Sequence, residues 1–128
     1  MITVRNVRKD GRPVHPWQVY IGRACYGFEQ SPLFNAHRRG TRDQNVEWYR
    51  ADFESWLAEA EEARSVSADE LESYFETCSP AGRAWQALEE LDRLRSLLKE
   101  HGQLELFCWC APLACHGDVI KAHLGKEV

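Results

Sequence analysis

Three thiols, an imidazole and a carboxylate fall within eleven residues toward the carboxyl end of this 128-residue chain: Cys108-Trp109-Cys110-Ala111-Pro112-Leu113-Ala114-Cys115-His116-Gly117-Asp118. Cys108 and Cys110 stand two apart and share a face wherever the backbone is a strand. Pro112 bends the chain, so Cys115 and His116 can return toward them. Cys108, Cys110, Cys115 and His116 thus offer a Cys3His donor set, which suits a tetrahedral Zn²⁺ and makes zinc the expected cofactor. The same residues allow a second chemistry. A thiol just ahead of a helix meets unpaired N–H groups that favour the thiolate. Cys115 would then be a nucleophile, His116 its acid or base, and Asp118 the group that orients the imidazole. In a third reading the cysteines are small buried apolar side chains with no chemistry. All three stay open at the level of sequence.

The elements that must position these residues can be read from periodicity. Ile2 to Val7 alternates as a short strand, and Lys9-Asp10-Gly11-Arg12-Pro13 reads as a turn. Gln18-Val19-Tyr20-Ile21 is a compact β-rich run stopped by Gly22. Arg23 to Gly40 shows no periodicity, and loops that long inside compact domains are usually functional or mobile. Thr41-Arg42-Asp43-Gln44 has the form of a capping box, followed by Val46, Tyr49, Phe53, Trp56 and Leu57 at helical spacing. Ser67-Ala68-Asp69-Glu70 repeats that form ahead of Leu71, Tyr74 and Phe75. A long helix is expected from about Ala81 with Trp85, Leu88, Leu91, Leu94 and Leu98 inward, stopped by Gly102. Leu104 to Trp109 is a further β-rich run, and a last helix starts at Gly117-Asp118 with Val119, Ile120 and Leu124 apolar. Strands alternating with helices imply a single α/β domain over residues 1–128, with a short, mostly parallel sheet flanked by helices.

Composition narrows the functions. Apolar residues at 44% and charged residues at 28% exclude wholesale disorder. No apolar run approaches the ~18 residues of a membrane span, and Met1-Ile2-Thr3-Val4-Arg5 lacks the apolar core of a signal peptide. A cytoplasmic protein is the expectation, and in that compartment cysteines argue against a disulfide framework. The net charge of −4 hides an asymmetry: eight Lys/Arg face two carboxylates up to Arg42, and eight face eighteen beyond it. The basic segment, with Arg38, Arg39 and Arg42 densest, can meet phosphate or an acidic partner. No recognition helix or finger spacing is present, so nucleic acid is not expected as the main partner.

The string C-W-C-x-P-x-x-C-H-G-D, together with Tyr20-Ile21-Gly22-Arg23 after an early strand, resembles the domain of unknown function 4326 family, over Val19 to Leu124. Members typically continue the G-R turn into a segment ending in G-N-P and an aromatic; here Phe34-Asn35-Ala36-His37 stands in that place and Asn35 matches. The resemblance implies a bacterial or bacteriophage setting and a shared site built from Arg23, Asn35, Cys108, Cys110, Cys115, His116 and Asp118. It brings no activity with it. By analogy of fold the domain is expected to be small, three-layered and Rossmann-like. The function that follows is the handling of a nucleotide, nucleoside or related phosphate ligand, with Arg23 and Asn35 as its binding residues. The alternative is a non-enzymatic phage factor that binds a host protein and carries a structural zinc site.

Overall fold

The computed structural model describes residues 1–64, 80–109 and 115–126. In chain order the elements are β1 (Ile2–Asn6), α1 (Val7–Asp10), β2 (Gln18–Tyr20), α2 (Arg42–Arg64), α3 (Pro80–His101), β3 (Leu104–Cys108) and α4 (His116–Gly125). Both outer strands pair with β3 in parallel, giving the order β1-β3-β2. Ile2 lies opposite Leu104, and Val19 opposite Leu106. Tyr20 ends β2, although Ile21 N–H still donates to Phe107 O at 3.0 Å and extends the ladder by one bond.

Alternation along β3 sorts its side chains. Leu104, Leu106 and Cys108 face one way and join the main apolar cluster, and each is 1% exposed or less. Glu105 points the other way and ties the sheet together: Arg5 Nη2 donates to its Oε1 at 3.2 Å and Gln18 Nε2 to its Oε2 at 2.7 Å. Such cross-strand pairs contribute roughly 0.2–1 kcal/mol each.

The helices form where the apolar spacing requires them. Thr41 caps α2 as a reciprocal box, its N–H donating to Gln44 Oε1 at 2.9 Å and its Oγ1 accepting from Gln44 N–H at 3.2 Å. Val46, Tyr49 and Phe53 of α2 are buried with Leu91 and Leu94 of α3 and Ile120 and Leu124 of α4. Gly102 adopts φ +70 and its N–H closes on Leu98 O at 2.8 Å, ending α3 as the sequence indicates. The three long helices join the core on the Leu104/Leu106/Cys108 face of the sheet, α3 and α4 against the strands and α2 against α3 and α4. Among the described residues no second long helix stands against the Glu105 face, so the α/β architecture holds with one helical layer on view.

One element departs from the sequence reading. The stretch expected to turn at Lys9–Pro13 begins instead with the single helical turn α1. Asn6 makes it: its side chain accepts from Arg8 N–H at 2.8 Å, while Asp10 Oδ2 accepts from Asn6 N–H at 3.0 Å. Gly11 at φ +82 then breaks it. The expected helix near Ser67–Phe75 lies outside the described residues. No helix among the described residues is long and apolar enough to cross a membrane.

Candidate functional site

Parallel pairing puts the carboxyl ends of β2 and β3 on one edge of the sheet, where α4 also begins, and ligands of open α/β sheets gather at such edges. Arg23, just past β2, reaches the long loop: its Nε donates to Asn35 O at 2.7 Å and its Nη2 to His37 O at 3.1 Å. Asn35 Oδ1 accepts from His37 N–H at 2.9 Å, and its Nδ2 donates to Asn45 O at 3.2 Å on α2. His37 Nε2 meets Asp52 Oδ2 at 2.6 Å. The aperiodic segment is therefore fixed by polar side chains that satisfy its backbone, which no hydrophobic pattern reveals.

These contacts enclose a cleft of about 650 Å³. Arg23, Arg38, Arg42 and His37 line one side of it; Cys108, Cys115 and His116 lie at its base; Tyr20 and Trp109 form a further wall. Among the described residues no carboxylate lines it. The structure thus brings Arg23, Asn35, Cys108, Cys115 and His116 to one cavity. Arg39 is exposed and does not line it, and Cys110 lies outside the described residues.

At the base, Cys115 is the N-cap of α4. Its Sγ accepts from Gly117 N–H at 3.3 Å, and Asp118 Oδ2 accepts from Cys115 N–H at 3.1 Å, a capping box with a thiol in place of the usual hydroxyl. Asp118 thus holds the helix start. Cys115 Sγ lies 3.4 Å from Cys108 Sγ. The hydrogen bond to Cys108, then burial, pushes the Cys115 thiol well above its ordinary range, and the opposing pull of Gly117 N–H at the helix start is outweighed. In this arrangement the protonated form of Cys115 is favoured over the thiolate. Of the expected zinc ligands, Cys108 and Cys115 converge. No group of three metal-ligating side chains comes together among the described residues.

His116 is buried, and its Nε2 lies 2.7 Å from Ile21 O. A carbonyl only accepts, so Nε2 carries the proton. Burial, the largest influence, lowers the imidazole pKa below 6.5 and keeps the ring neutral. Nδ1 is then a lone-pair acceptor in a side chain that lines the cleft. The sign of the pH effect follows from linkage. Between 6.5 and the lower folded pKa the unfolded chain binds the extra proton, so the stability His116 provides is whole above pH 6.5 and lost progressively below it. We expect a falling denaturation midpoint below that pH, flattened by His116→Gln. Equal slopes for the two proteins in urea melts across the acid range would contradict the assignment.

The aromatic wall rests on Gly22. A Cβ there would lie 2.4 Å from Tyr20 Oη. Tyr20 Oη donates to Arg23 O at 2.6 Å and accepts from Trp109 Nε1 at 3.0 Å. Burial, with help from Cys25, pushes the phenol up to about 12, so it stays neutral. Tyr20 also stacks on Phe28 at 4.1 Å between centroids. Cys25 and Phe28 exchange backbone hydrogen bonds, at 3.3 and 2.8 Å, across a two-residue turn with Tyr26 at φ 46 and Gly27 at φ 87. Two positive φ values define a primed hairpin turn. Sequence reasoning passed over this turn, and with it Tyr20, His37, Asn45 and Trp109 as cleft residues. Trp109, Tyr20 and His37 carried the available signal, their places inside or beside the family strings.

A three-stranded parallel α/β domain with a basic cleft at its carboxyl edge is the class these observations define. Residues 4–126 match the family described as Domain of unknown function (DUF4326), and the chain belongs to that family. No curated protein and no solved structure matches it.

Proposed function

We propose that this protein, in the bacterial cytoplasm, binds a phosphate-bearing small molecule of nucleotide type in the cleft between β2, β3 and α2. The supporting observation is that Arg23, Arg38 and Arg42 line a cleft with no carboxylate among its described lining residues. Arginine forks match phosphate oxygens in pairs. A volume of about 650 Å³ is of the size that takes a whole small ligand. His116 Nδ1 would accept a hydrogen bond from a ligand hydroxyl or amino group. The net charge of −4 works against capture of a long polyanion such as duplex nucleic acid.

Arg38 and Arg42 are exposed, so their replacement leaves the core alone. Thermal shifts with a panel of nucleotides, nucleosides and inorganic phosphate should show stabilisation by the phosphorylated compounds in the wild type. In the double variant Arg38→Glu, Arg42→Glu that affinity should fall by at least about a hundredfold, since charged hydrogen bonds are worth roughly 1.5–3 kcal/mol each. No shift with any phosphate compound, or the same shift in both proteins, would sink the reading.

The 3.4 Å approach of Cys108 and Cys115 favours a second reading, in which these thiols help hold a structural zinc in a non-enzymatic phage factor that docks on a host protein. His116 Nδ1 and Cys110 would be the further donors, and bound zinc would lock β3 to α4. Stoichiometric zinc in elemental analysis of untagged protein, without any nucleotide shift, would support it over the first.

A further inference from the structure

Resting on the phosphate-ligand reading, we infer that Tyr26 and Trp109 form a stacking platform for a planar heterocyclic ring, which makes the ligand a nucleobase-bearing phosphate rather than a bare sugar phosphate or an inorganic anion. Tyr26 is, among the described residues, the one side chain other than glycine held at positive φ. Aromatic residues rarely adopt that backbone, where asparagine, aspartate or glycine sits without strain. Its ring is also 77% exposed, so core packing does not explain the choice. The surroundings hold the strained residue firmly. Cys25 and Phe28 close the turn on both sides. Arg12 Nη2 donates to Tyr26 O at 2.6 Å, and its guanidinium lies 4.6 Å from the Phe28 ring centre. Strain that several neighbours enforce around an exposed side chain points to use of that side chain.

The position fits the use. The Tyr26 ring meets the Trp109 indole edge-on, with centroids 5.7 Å apart. Trp109 is a wall of the arginine-lined cleft and also of a second, open concavity of about 370 Å³ shared with Tyr26, Arg8 and Arg12. A phosphate in the arginine-lined cleft and a ring at Tyr26 would therefore both border the Trp109 indole. Arg8 and Arg12 make the second concavity positive, which suits the acceptor-rich edge of a base and disfavours a cationic ring.

The test compares the 5′-monophosphates of adenosine, guanosine, cytidine and uridine with ribose 5-phosphate and inorganic phosphate by calorimetric titration. The best nucleotide should bind the wild type at least about tenfold tighter than ribose 5-phosphate, the margin that stacking of one base supplies. Tyr26→Asn should erase that margin and leave ribose 5-phosphate binding unchanged, while Tyr26→Phe keeps it. Because asparagine suits the turn, the unliganded melting temperature of Tyr26→Asn should hold or rise, which separates lost stacking from lost folding. Equal affinities for ring-bearing and ring-free compounds, a margin that survives Tyr26→Asn, or a parallel loss of ribose 5-phosphate binding would each overturn the platform and leave the phosphate cleft standing. Failure of every phosphate compound to bind would remove the cleft reading and the platform together.

Discussion

Replacing Leu106 by alanine is expected to lower the unfolding free energy by about 3 kcal/mol, within the range for truncating a fully buried leucine. Leu106 has no exposed surface and sits in the middle strand, opposite Val4 on one side and Val19 on the other. Hydrogen-bonded strands on both sides limit how far the backbone can close the void, so both the lost transfer energy and the cavity contribute. Domains of this kind have roughly 5–15 kcal/mol in all, which makes the loss a large fraction. Urea melts should show an earlier midpoint with an unchanged slope. A loss under about 1 kcal/mol would mean that the site relaxes and that β3 is not the packed centre of the sheet.

Gly22→Ala should cost about 2 kcal/mol and damage the cleft at the same time, which a simple core substitution does not. The added carbon would fall 2.4 Å from Tyr20 Oη and 2.6 Å from its Cζ, far inside contact distance. Tyr20 cannot swing aside cheaply, because Phe28 stacks on its ring and Arg23 and Trp109 hold its hydroxyl. Overpacking of this kind costs roughly 1–3 kcal/mol. A double-mutant cycle checks the cause: in a Tyr20→Ala background the penalty of Gly22→Ala should largely vanish. If the two penalties simply add, the clash with Tyr20 is not the reason Gly22 is required.

Much of the architecture is legible in residue order. The Thr41–Gln44 box, the apolar spacing of Val46, Tyr49 and Phe53, and the break at Gly102 are local signals, and local physics decides those elements. The parallel arrangement also follows, since strands separated by helices return in the same direction. Asn6 and Cys115 show where such reading stops short. Asparagine ahead of a short turn, and a cysteine three residues before Asp118, are capping signals, but the second wears a thiol and looks like chemistry first. The cleft is less legible still. Arg23 and Asn35 stand out within the family string, but their observed work is to hold the loop at Asn35–His37 against Asn45, a network of side chain to backbone bonds with no periodic trace. The Cys115 thiol illustrates a contest of magnitudes: the helix start favours the thiolate, while the neighbouring thiol and burial favour the protonated form and win.

The strand order has a consequence for the life of the chain before it is folded. Among the described residues β1 and β2 have no ladder bonds to each other; each pairs with β3 alone, and Ile2 must find Leu104. During synthesis both amino-terminal strands emerge from the ribosome without a partner, and no part of the sheet can close until Leu104–Cys108 has left the exit tunnel. Pairings that distant cost loop entropy before they return any contact energy, which slows folding. A chain halted anywhere before Leu104 therefore has no partner for β1 or β2, and their apolar faces stay open to chaperones and proteases until β3 arrives.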